Sequence, residues 1–193
     1  MNRNRGTISL CQWLILLTTL LVALSVKQAF AEEHVYHSKL VSIHYNDARL
    51  LQEFERKIRP TAFTRTLNKI FLGQAGISEE ATLGELVDTL FRRVQLILDM
   101  PQPDLRVHIR LLADQDEVSR VCSQVAGKFI KAPAFYYQKT NTIYLQTRKV
   151  SKGILAHEMG HAVVDHYFVI RPPSKIAEML SQYVDREISE QPL

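Results

Sequence analysis

The chain has 193 residues and a formal net charge of +4. Taking Arg3, Arg5 and Lys27, which belong to a distinct N-terminal segment, from its 24 Lys and Arg leaves 21 basic against 20 acidic residues. The basicity is therefore largely N-terminal and excludes nucleic acid as an expected partner, while Cys122, the one cysteine after that segment, excludes an intrachain disulfide and reads as a buried apolar thiol.

The N-terminal segment has three parts. Arg3 and Arg5 precede an uncharged run from Ile8 to Val26, which is followed by Lys27 and by Ala29-Phe30-Ala31. A basic start, an apolar stretch and a small-x-small site make a secretory signal peptide over residues 1–31, cleaved after Ala31. The competing reading is a retained anchor, because the run approaches the ~20 residues of a spanning helix. Cleavage leaves residues 32–193 as a single exported domain, periplasmic or secreted, with a core of its own and no stable membrane insertion.

Along the mature chain, Leu40–Tyr45 is short and rich in branched and aromatic residues, which predicts a strand. Asn46-Asp47 can cap the helix "ARLLQEFERKI", which Pro60 ends. Up to Glu80 only Ile70, Phe71 and Leu72 give a signal. Thr82 then opens an amphipathic helix to about Met100, stopped by Pro101 and Pro103. Leu105–Leu112 alternates apolar and polar residues as a half-buried strand with His108 facing solvent. Asp114 and Glu117 form a capping box for the next helix, and Gly127 closes it. Phe135–Thr147 reads as two strands around a turn at Lys139–Asn141, in which Tyr136, Tyr137 and Tyr144 can pack or form a substrate shelf. Ser151 caps a helix to about Phe168; Arg171-Pro172-Pro173 breaks the chain, and Ser174 begins the last helix. The pattern is that of one α+β domain.

The helix after Ser151 carries "HEMGH". His157 and His161, four residues apart, project from nearly the same face one turn apart and can take two positions of a zinc tetrahedron. Glu158, about 100° round the helix from His157, can flank a metal without ligating it and take a proton from water. This is the HExxH pattern. Five residues can match by chance, so the surroundings matter: Ile154, Leu155, Met159, Ala162, Val163, Val164 and Phe168 make the helix apolar, and two histidines and a glutamate are costly to bury there without a partner.

A catalytic zinc needs a third ligand and an open position. His166 lies five residues after His161 where the metzincin pattern has its histidine at six, a place held here by Tyr167. Asp165 is a further turn along the same helix and out of reach. Glu178, past the proline break, returns toward the histidines if the last helix runs antiparallel, and is preferred.

With that residue the chain resembles a gluzincin, the HExxH metallopeptidases whose third zinc ligand is a Glu on a second helix. Glu178-Met179-Leu180-Ser181 matches the family's small residue three positions after the ligand, whereas Gln182 stands where many members have an Asp that orients a histidine. The resemblance spans about Ala134–Tyr183. It implies a zincin-like fold, with a small, mostly antiparallel sheet packed on the HExxH helix and a C-terminal Glu-bearing helix. It further implies zinc on His157, His161 and Glu178, Glu158 as general base for hydrolysis of a peptide or protein substrate, and Thr142–Thr147 as the edge strand that aligns it. The family also uses a Tyr or His to stabilise the oxyanion; Tyr183 is the candidate here, with Tyr137 behind it. The alternative is a metal-stabilised binding or assembly module that does not catalyse.

Overall fold

The computed structural model describes residues 33–59 and 81–190, so the expected signal peptide and the apolar Ile70–Leu72 lie outside the described residues. In chain order the elements are β1 (His34–His37), β2 (Val41–Tyr45), α1 (Ala48–Ile58), α2 (Leu83–Ile97), β3 (Val107–Leu112), α3 (Gln115–Ala126), β4 (Ala134–Tyr137), β5 (Thr142–Gln146), α4 (Lys152–Tyr167) and α5 (Ser174–Glu190). No helix among the described residues is long and apolar enough to cross a membrane.

The helix boundaries follow from local chemistry. Asp47 accepts the backbone N–H of Arg49 to start α1, and Thr82 and Glu85 satisfy each other's backbone N–H in a full capping box before α2. At α3 the expected box is split: Asp114 accepts from the Glu117 N–H, while the Glu117 carboxylate reaches one residue further back, to the N–H of Ala113. Gly127 caps that helix in the left-handed conformation, φ 66°.

The five strands lie in the order β1-β2-β3-β5-β4. β1 and β4 are antiparallel to their neighbours, whereas β2, β3 and β5 run parallel, so the sheet is mixed and corrects the expectation of a mostly antiparallel one. Connections through helices return a strand in the same direction. Between β2 and β3 the chain passes through α1 and α2, and between β3 and β5 it passes through α3 and β4. The β4–β5 hairpin is as read, around a 3₁₀ turn at Gln138–Thr140, but β5 then pairs with β3 as well. β5 is therefore buried along its whole length, and the sheet edge that was expected at Thr142–Thr147 is β4 instead.

One face of the sheet carries the main core. Ile43, Ile109, Ile143 and Leu145 meet Phe54 of α1, Phe91 of α2, Leu155 and Met159 of α4 and Val184 of α5, all fully or almost fully buried. On the other face α3 covers a smaller cluster of Leu112, Val118 and Tyr144, with Phe135 and Tyr137 against it. Tyr136 packs on the main-core side, so the three tyrosines do not share a shelf. This core draws on Leu40 through Ile188, and a chain starting at Glu32 carries all of these residues.

Asp88 anchors the β1–β2 turn to α2. Its Oδ1 accepts from the Ser38 hydroxyl at 2.7 Å and the Leu40 N–H at 2.9 Å, and its Oδ2 accepts from the Lys39 N–H at 3.0 Å. A carboxylate buried in α2 is thereby satisfied, and the turn is fixed against the helix that backs α4.

Candidate metal centre

α4 is apolar around most of its circumference because it is packed on several sides: Leu155, Ala156, Met159, Ala162, Val163 and Val164 are all buried. His157, Glu158 and His161 face the gap between this helix and the start of α5. The chain break at Pro172-Pro173 turns α5 back along α4, and the Pro173 carbonyl accepts the N–H groups of Ile176 and Ala177 to open the new helix. The first turns of α5 thereby bring Glu178 to the histidines.

Gly160 sets the separation of the two helices. A Cβ there would lie 3.1 Å from Ser181 Oγ and 3.2 Å from Ser181 Cα, closer than ordinary contact. The small residue three positions after Glu178 thus has a physical reason: Ser181 is wholly buried against Gly160, and a larger side chain would push α5 outward.

His157, His161 and Glu178 each offer a donor atom within 4.8 Å of the others. His157 Nε2 lies 3.6 Å from Glu178 Oε1, and His161 Nε2 lies 3.4 Å from Glu178 Oε2. Both separations exceed ordinary N–H···O hydrogen bonds. They match the edge of a tetrahedron built from zinc–ligand bonds of about 2.1 Å, which is about 3.4 Å. Burial, together with the neighbouring His157, pushes the His161 imidazole down to about 4 against the opposing pull of Glu178, so the ring is neutral and able to ligate near neutral pH. Two imidazoles and one carboxylate suit zinc among the common divalent ions. Glu178 is half exposed, so one side of the donor triangle stays open to solvent.

Glu158 is 8% exposed. Burial pushes its carboxyl up to about 8, a rise that the Tyr136 backbone N–H, donating to it, partly opposes and Glu178 slightly increases. That N–H belongs to β4, so the edge strand meets the candidate base directly. Gln182, the departure from the family pattern, donates from Nε2 to Glu178 Oε1 at 3.0 Å. It orients the ligand carboxylate in place of a histidine, a role readable in advance only from its spacing of four residues from Glu178.

The rejected ligands are engaged elsewhere. The Asp165 side chain, 4% exposed, is paired at 3.1 Å with Arg171 Nε and accepts from the Tyr136 hydroxyl at 3.4 Å. His166 Nδ1 contacts the Ala162 carbonyl one turn back at 2.9 Å. Of the two oxyanion candidates, Tyr137 packs on the α3 side of the sheet, away from α4, and is ruled out by its position. Tyr183 stands exposed on α5 with the Arg186 guanidinium 5.4 Å from its ring centroid. His108, expected to be merely solvated, pairs with His44 at 3.1 Å on the sheet face away from the site.

No protein-family model matches the sequence, and no curated protein or solved structure matches it either.

Proposed function

We propose that the domain is an exported zinc peptidase of the gluzincin type, hydrolysing peptide or protein substrates. The observation that carries this reading is the buried Glu158 carboxyl beside the three donors, because a structural metal clip has no use for a desolvated carboxyl at that position. His157, His161 and Glu178 would hold the zinc. The ion would supply Lewis acidity toward a peptide carbonyl and toward water at that place.

The remaining steps fall to the chain's own residues. Glu158 takes the proton of the attacking water and hands it on to the departing nitrogen; desolvation raises its proton affinity into the range where both transfers are easy near neutral pH. Gln182 holds the Glu178 carboxylate in one orientation. β4, as the sheet edge, offers its free backbone groups to an extended peptide, which would lie as an added strand beside the site. Tyr183 remains the candidate for steadying the oxyanion, from its place on α5 five residues after Glu178. The basic, apolar, Ala-x-Ala pattern of residues 1–31 supports export to the periplasm or the medium.

The decisive experiment compares the chain from Glu32 to Leu193 with its Glu158→Gln variant on a proteome-derived peptide library. Both should carry about one zinc per chain, and only the wild type should cut. Indistinguishable peptide profiles would replace the enzyme with a metal-stabilised, non-catalytic binding module.

A further inference from the structure

The turn that joins the two ligand-bearing helices is unusual for a water-facing surface. From His166 to Arg171 every residue is exposed, and this stretch includes Tyr167-Phe168-Val169-Ile170. Val169 is fully exposed and Ile170 is 85% exposed. Ile176 and Met179, three residues apart on the outer face of α5, extend the apolar surface away from the turn. Contiguous apolar surface of this kind marks an interaction site.

Its shape and charge select the partner. The apolar residues stand out at the end of a helical hairpin and do not line a groove, so they are built to enter something soft. Tyr167 and Phe168, packed edge to face with centroids 5.3 Å apart, form an aromatic shoulder behind the aliphatic tip, the arrangement favoured at a membrane–water boundary. No acidic residue occurs from His166 to Ala177, whereas Arg171 and Lys175 do. Arg171 also donates to the Gln138 side chain at 2.7 Å, which brings the exposed Lys139 of the β4–β5 turn beside the tip. An apolar point with a basic rim is complementary to an anionic lipid surface.

We infer that the α4–α5 turn, led by Val169 and Ile170 with Lys139 and Lys175 at its rim, docks the domain peripherally on anionic phospholipid bilayers. Docking holds the metal centre near the headgroups, within reach of peptide segments emerging from the bilayer, without inserting a helix.

The chain from Glu32 to Leu193 has no tryptophan, so Val169→Trp provides a single reporter at the tip. Its emission should shift to the blue on vesicles of phosphatidylcholine with phosphatidylglycerol and stay unshifted on phosphatidylcholine alone. Val169→Asp/Ile170→Asp, at exposed positions that leave the fold intact by circular dichroism, should partition about tenfold or more weakly in co-sedimentation. Lys139→Gln/Lys175→Gln should lose the preference for phosphatidylglycerol. Unshifted emission on the mixed vesicles, or wild-type sedimentation by the double aspartate variant, would overturn the inference. So would self-association abolished by the aspartates with vesicles left unbound, which would assign the tip to a second copy of the chain.

Discussion

Gly160→Ala tests the geometry of the metal centre without touching a ligand. The new Cβ would sit 3.1 Å from Ser181 Oγ and 3.2 Å from Ser181 Cα. Comfortable contact is about 3.5 Å or more, so α5 must yield by about 0.3–0.5 Å. Overpacking of this kind costs about 1–3 kcal/mol, and the exchange of Gly for Ala within a helix returns about 1 kcal/mol, so the metal-free domain should lose little stability. The effect on zinc is larger in proportion. Ser181 is one turn from Glu178, and zinc sites tolerate ligand displacements of about 0.2 Å, so affinity should fall about 10- to 100-fold. Chelator competition gives the affinity, and thermal unfolding with and without zinc gives the two stabilities. The expected signature is a nearly unchanged metal-free melting temperature with a reduced zinc-dependent rise. Gly160→Ala/Ser181→Gly, which removes Oγ and Cβ from the clash, should recover most of the affinity. A single variant that binds zinc as tightly as the wild type, or a double variant no better than the single, would refute Gly160–Ser181 contact as the spacer of the site.

Other outcomes can be checked with standard measurements. Glu178→Ala should lose zinc on dialysis while remaining folded; full retention by elemental analysis would remove Glu178 from the ligand set. Arg171→Ala strips the buried Asp165 of its ion-pair partner and, as Arg171 itself is largely exposed, should cost about 1–3 kcal/mol in denaturant unfolding. Asp88→Ala leaves the Lys39 and Leu40 N–H groups and the Ser38 hydroxyl without their acceptor and should cost about 2 kcal/mol or more; a loss within error would mean that water replaces the carboxylate there. Burial pushes the Cys122 thiol above its ordinary range, so less of it is thiolate at any given pH below that value. It should react with a thiol reagent at pH 8 only as fast as the domain unfolds, and rapid labelling of the native protein would contradict its burial.

Most helices were legible in the sequence because their signals are local. The helix read at "ARLLQEFERKI" spans those residues in the structure, with Asp47 as its cap, and the HExxH helix follows Ser151 as expected. The third donor was legible too, since the proline break forces a return and Glu178 falls in the first turns after it. Strand order was not legible. β3 pairs with β5 across the intervening α3 and β4, and nothing in "LRVHIRLL" or "TIYLQ" names that partner, so both the mixed sheet and β4 as its edge emerge only from the three-dimensional arrangement. Asp88 was hidden for a similar reason: in an amphipathic helix it reads as a polar position, and its partners lie about fifty residues earlier in the chain. Gln182 looked like a missing Asp because a pattern records which side chain is usual, not which carboxylate the actual one can reach.

The helical hairpin also bears on the order of folding. His157, His161 and Glu178 belong to two helices adjacent in sequence, so bringing them together closes only a short stretch of chain, whereas pairing Ser42 with His108 in the parallel β2–β3 ladder requires closure of a loop several times longer. Closure entropy grows with that length, and local contacts form first. The two halves of the domain are thereby separated in time: the ligand-bearing hairpin gathers early from nearby residues, and the sheet that positions β4 against Glu158 closes later. Ions present during folding would meet the three ligands before the base and the strand edge are in register.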